Sequence, residues 1–163
     1  MKKIFQLISL AGLVAMAGCA TGPDFKTYNA SLSAPKEGES RIWFYRPSKF
    51  LGSGIQPMVY INDTPIGKSQ PGCFFYADRA PGTYEFRCTT EWADKTLYNV
   101  VANQVTYVRL SLLPGVLVYH ILPRIVPEAE ALKELQDCRL ITADGMNQNW
   151  APPPAKADSP PQP

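Results

Sequence analysis

One histidine, His120, is all the imidazole this chain holds in 163 residues. Its sequence neighbours are Leu117, Val118, Tyr119, Ile121 and Leu122, which read it as a packed, hydrogen-bonded histidine rather than a catalytic base or metal ligand. No Cys-x-x-Cys occurs, and no histidine stands near the cysteines, so a zinc site is not expected. No Gly-x-Ser-x-Gly elbow is present, and Gly52-Ser53-Gly54 lacks the lysine of a phosphate loop. Glu128, Glu130 and Glu134 read as a solvated helix face rather than as a carboxylate pair. Charge of one sign is scarce too. Lys2 and Lys3 supply the whole net charge of +2; without them 14 basic residues face 14 acidic ones. With no basic stripe to neutralise phosphates, nucleic acid is not an expected partner. No catalytic residue, cofactor or metal is expected, and the chain is not read as an enzyme. Long apolar runs are missing as well. The longest, Ile4 to Gly18, has 15 residues, whereas a transmembrane helix needs about 20.

That run is the most informative stretch present. Preceded by Lys2 and Lys3, it reads as a secretory signal peptide over residues 1–18. It closes on Met16-Ala17-Gly18-Cys19, which resembles the bacterial lipoprotein cleavage box. The resemblance implies that the chain is cut before Cys19, that the Cys19 thiol carries diacylglycerol and that the new amine is acylated. A single myristoyl chain binds a membrane only marginally, so several acyl chains make an anchor that does not let go. Position 20 is Ala and not Asp, which by the same resemblance favours the outer membrane, with the protein facing the periplasm.

With Cys19 spent on lipid, Cys73, Cys88 and Cys138 remain, an odd number that allows one disulfide at most. Cys88 shares a strand face with Tyr84 and Phe86, and Cys138 shares one with Leu140. A Cys88–Cys138 bridge is therefore favoured. Cys73–Cys88 across a hairpin is the alternative, and no bridge is the third possibility.

Residues 19–39, polar and rich in Gly, Pro, Ser and Lys, read as a flexible tether. Residues 146–163 carry Pro152, Pro153, Pro154, Pro160, Pro161 and Pro163 and read as a disordered tail. Between them, residues 40–145 show short aromatic and β-branched segments separated by turn signals every eight to twelve residues. That spacing predicts a mainly β, Ig-like antiparallel sandwich. Arg41 to Arg46, Met58 to Ile61, Phe74 to Ala77, Thr83 to Thr89, Lys95 to Val101 and Val105 to Leu113 are the clearest strands. Pro127, Glu128 and Glu130, followed by Ala131, Leu132 and Leu135, predict one short helix over 127–136. The Pro47–Pro57 connection, with Arg46, Phe50 and Leu51, is the candidate contact loop, because binding residues concentrate on loops held by rigid frames.

Arg41 to Leu140 also resembles a known family. The residues that carry the likeness are Arg41-Ile42-Trp43-Phe44-Tyr45-Arg46-Pro47-Ser48, Gly52-Ser53-Gly54 and Val59-Tyr60-Ile61-Asn62-Asp63 with Ile66-Gly67. Further on they are Phe74-Phe75-Tyr76, Ala80-Pro81-Gly82-Thr83-Tyr84, Thr106-Tyr107-Val108-Arg109, and Ala131 to Leu135 before Cys138. The family is the uncharacterised bacterial lipoprotein group catalogued as domain of unknown function DUF2846. The middle part is also similar to PEGA-type modules, small β-sandwiches with a Pro-Gly-x-Tyr corner. The resemblance implies a β-sandwich on a lipid anchor and carries over no active site. The function expected is that of a lipid-anchored cell-envelope module with an envelope protein partner. The alternative is a lipoprotein that binds a small ligand or glycan.

Overall fold

A computed structural model of the chain describes residues 22–89, 96–115, 119–142 and 145. The expected signal peptide, Cys19 and the Pro-rich tail lie outside those residues. The architecture is a β-sandwich of two sheets with two helices laid on the outer face of one of them.

The strands follow in chain order: β1 (Ser40–Arg46), β2 (Met58–Ile61), β3 (Thr64–Lys68), β4 (Cys73–Arg79), β5 (Gly82–Cys88), β6 (Thr96–Val100), β7 (Val105–Pro114), β8 (Tyr119–Ile125) and the two-residue β9 (Arg139–Leu140). One sheet has the order β8-β7-β1-β4-β9, the other β3-β2-β5-β6. Most ladders are antiparallel, but two are not: β1 runs parallel to β7, and β4 parallel to β9. The five-stranded sheet is therefore mixed, a departure from the all-antiparallel expectation.

All seven residues of β1 are buried. A strand alternates its side chains between two faces, so both faces must be covered. Ile42 and Phe44 point into the core between the sheets, beside Phe75, Phe86 and Val108. Trp43 and Tyr45 point the other way, into a second core roofed by the helices. Strands covered on both faces read as unbroken apolar runs, and Ile42-Trp43-Phe44-Tyr45 is such a run.

The helices are α1 (Phe25–Ser31) and α2 (Glu128–Leu135). The second lies where Pro127 and the glutamates predicted it, with Pro127 at the N-cap and Ala131 and Leu135 buried. The first corrects the tether reading of residues 19–39. Asp24 caps it by accepting from the Thr27 amide at 2.9 Å, as N-cap side chains do. Phe25 is buried edge-on against Trp43 and Phe74, at ring-centroid distances of 4.9 and 5.4 Å. Leu140 N donates to Pro23 O at 2.9 Å. Residues 22–32 are thus part of the folded body, because the outer face of β1 and β4 needs an apolar cover that α2 alone does not supply.

Neither expected disulfide is formed: Cys73, Cys88 and Cys138 are free and buried. Cys88 sits in the core between the sheets and Cys138 in the core beneath the helices, so the five-stranded sheet separates them. Cys73 also faces the core between the sheets, as an unbridged thiol. Burial lifts the Cys73 thiol to about 11 and those of Cys88 and Cys138 to about 12. These are structural thiols, held protonated and without thiolate reactivity.

Candidate functional site: a loop held from below by a buried arginine

The Pro47–Pro57 loop leaves β1 directly after Arg46. In sequence Arg46 belongs with Phe50 and Leu51 as a contact residue, but the structure separates their roles. The Arg46 side chain turns inward and is buried, with 4% of its surface exposed. Its guanidinium donates to Ile55 O at 2.5 Å, Ser69 O at 2.8 Å and Gly52 O at 2.8 Å. Two of those carbonyls belong to the loop itself, so Arg46 holds it from inside. Burial pushes the guanidinium below its ordinary value, and the three carbonyl dipoles satisfy it.

Above that clamp the backbone closes on itself, with Ser53 N donating to Phe50 O at 3.1 Å and Ile55 N to Gly52 O at 3.0 Å. Gly52 has φ +73°, and a Cβ there would stand 2.7 Å from Leu112 Cδ2. Only glycine accepts both conditions. The result is an ordered loop that presents its apolar tip to solvent. Phe50 is 95% exposed and Leu51 57%. This adjacent exposed apolar pair is what the candidate contact loop presents.

Beside the loop runs a groove of 370 Å³, lined among others by Lys49, Leu51, Arg109, Leu112, Arg124 and Glu134. Its floor is a charge cluster. Arg109 donates to Glu130 at 2.5 Å and Glu134 at 3.0 Å, and Tyr45 Oη donates to Glu134 at 2.6 Å. One turn earlier Tyr107 Oη donates to Glu128 at 3.2 Å. Each of the three glutamates read as a solvated face is therefore held by a residue of the five-stranded sheet, and together they dock α2. Burial, with Glu128 beside it, lifts the Tyr107 phenol to about 12; burial and Glu134 hold the Tyr45 phenol protonated well above its usual range.

A second groove, of 690 Å³, lies between the helices, lined among others by Phe25, Lys26, Asn29, Ala30, Leu132 and Gln136. His120 lies half-buried on β8, opposite Leu113. Its Nδ1 has no hydrogen-bond partner among the described residues. No cluster of three or more metal-ligating groups occurs among the described residues.

A part-buried ion pair missed in sequence closes the far end of the sandwich. Arg41 meets Asp78 in two hydrogen bonds of 2.8 and 2.7 Å, donates to Ser33 O at 3.0 Å and lies 4.6 Å from the Tyr76 ring centroid. It ties the segment after α1 to the sheet.

Against known proteins, the profile of one family, described as "Protein of unknown function (DUF2846)", matches residues 36–120. The chain belongs to this family. The DUF2846 match takes in β1 to β7 and the start of β8, including the whole Pro47–Pro57 loop; α1, α2 and β9 fall outside it. The PEGA-type likeness is not confirmed. A relative described as an uncharacterized protein from Haemophilus influenzae is 29% identical over 101 residues, covering 59% of this chain and 60% of its own length. The chain thus spans less than two thirds of that relative. No solved structure matches it.

Proposed function

We propose that the protein is a lipid-anchored lipoprotein of the bacterial cell envelope, held in the outer membrane through Cys19 and facing the periplasm. There it acts as an interaction or structural module with an envelope protein partner, and not as an enzyme. The observation that carries the reading is Met16-Ala17-Gly18-Cys19 at the end of a lysine-led apolar run. The Arg46-held loop adds to it, since a rigid frame with an exposed Phe50–Leu51 tip suits contact with a surface rather than chemistry on a small substrate. Cys19→Ala tests the anchor. The expected result is an unprocessed or soluble chain, whereas normal membrane fractionation of this variant rules the anchor out. Crosslinking in intact cells tests the partner.

The groove between the helices favours a second reading, a module that binds a small envelope molecule or glycan. Its 690 Å³ falls within the usual range of ligand pockets. Leu132→Trp, which narrows that groove, should abolish capture of the small molecule on this reading, whereas on the first it should leave the protein crosslinks in intact cells unchanged.

A further inference from the structure

Three features converge on one end of the sandwich, the end where β1 finishes. The first is the contact loop, which continues from Arg46. The second is the exit of the chain toward its N-terminus. Arg46 stands opposite Cys73, and Cys73 opposite Arg139. Asp24 bridges to Arg139, and Pro23 O accepts from Leu140 N. Gly22 packs so closely that a Cβ there would stand 2.1 Å from Leu140 O. Only three peptide steps separate it from Cys19, a reach of about 11 Å when fully extended. The opposite end of β4, at Arg79, lies six residues beyond Cys73, roughly 20 Å away. The third feature is charge. Lys26, Lys49, Lys68 and Arg124 are exposed around this end. Of the carboxylates here, Asp24 is engaged by Thr27 and Glu134 by Tyr45 and Arg109, and Asp137, exposed next to Cys138, is a single carboxylate against these four cations.

We propose that this end of the sandwich seats on the phospholipid surface, with Phe50 and Leu51 entering the headgroup–acyl boundary and the lysines and Arg124 meeting anionic headgroups. The proposal rests on the Cys19 anchor and names what the contact loop of the proposed function touches. The short leash brings this end, and not the other, to the bilayer. Apolar side chains flanked by cations are the composition of an interfacial contact. The seat fixes the orientation of the domain, so that the far end, with Arg41 and Asp78, faces the periplasm.

The test uses the lipidated chain with Phe50→Cys, or with Gln104→Cys at the far end as a control, each carrying an environment-sensitive dye. The endogenous thiols are buried. The chain is reconstituted in vesicles of phosphatidylethanolamine and phosphatidylglycerol containing spin-labelled quencher lipids. Quenching should be at least about threefold stronger at Phe50 than at Gln104; equal quenching at both overturns the proposal. A second arm uses residues 19–163 with Cys19→Ser, which has no acyl chain. Adding Phe50→Ser and Leu51→Ser should lower its partition into the same vesicles about tenfold, equivalent to about 1.4 kcal/mol; unchanged partition overturns the proposal. A photocrosslinker at Phe50 that captures a protein instead of lipid in intact cells overturns it as well. The mass of the N-terminal peptide reports acylation of Cys19 separately, so a failed anchor and a failed seat are told apart.

Discussion

Arg46 is a buried cation that donates to three carbonyls, and the order of the contact loop depends on it. Arg46→Met removes the donor for three carbonyls at once. Leaving buried polar groups unpaired costs about 1–3 kcal/mol, and the lost stability should appear in the urea midpoint together with new protease cleavage between Ser48 and Gln56. Arg46→Lys should not restore the loop, because an ammonium cannot reproduce the planar fork. Equal protease resistance in all three proteins would contradict this role. The buried thiols and phenols make a further residue-scale prediction. Cys73, Cys88, Cys138, Tyr107 and Tyr45 all have folded values raised by burial, so the unfolded chain loses these protons first. Their contribution is complete below the unfolded thiol value of 9.0 and is lost as pH rises through the folded values of about 11 and 12. Urea midpoints measured from pH 7 to pH 11 should therefore hold level and then fall above about pH 9; a midpoint that rises there contradicts the assignment.

At the scale of elements, α1 decides whether the chain before β1 is tether or body. Phe25→Ala deletes a ring packed against Trp43 and Phe74 and should cost about 3 kcal/mol, read as a shift in the denaturation midpoint. A free tether would show no shift. The clamp on α2 makes a smaller prediction. Tyr45→Phe removes one hydrogen bond to the Glu134 carboxylate and should cost about 1.5 kcal/mol while leaving the loop resistant to protease. The contrast between the helices shows what local sequence carries. β1 and α2 were legible because their signals are contiguous: an aromatic run, and a proline followed by first-turn glutamates. Asp24, Phe25, Tyr28 and Leu32 do hold a cap and a helical spacing, but seven residues of helix within a Gly-, Pro- and Ser-rich stretch leave composition the louder signal. The inward turn of Arg46 was hidden for another reason. Arginines are mostly exposed, and its partners at Gly52, Ile55 and Ser69 come together only when the loop and β3 are in place. The parallel pairing of β1 with β7, and the sheet that separates Cys88 from Cys138, are likewise non-local.

For the molecule as a whole, the consequence is a rigid sandwich with two unlike ends and little free chain between its first helix and the proposed lipid. Shortening or lengthening that chain becomes a handle on orientation. Inserting ten Gly/Ser residues between Ala20 and Thr21 gives a coil with an end-to-end distance of about 17 Å, and should weaken the preference of the Phe50 end for the membrane without releasing the protein from it. The measurement that bears most directly on the central claim is mass spectrometry of the N-terminal peptide of the protein purified from membranes. The account predicts a chain that starts at Cys19 and carries diacylglycerol on its thiol and an acyl group on its amine. A mature chain that starts elsewhere, or an unmodified Cys19, would contradict it.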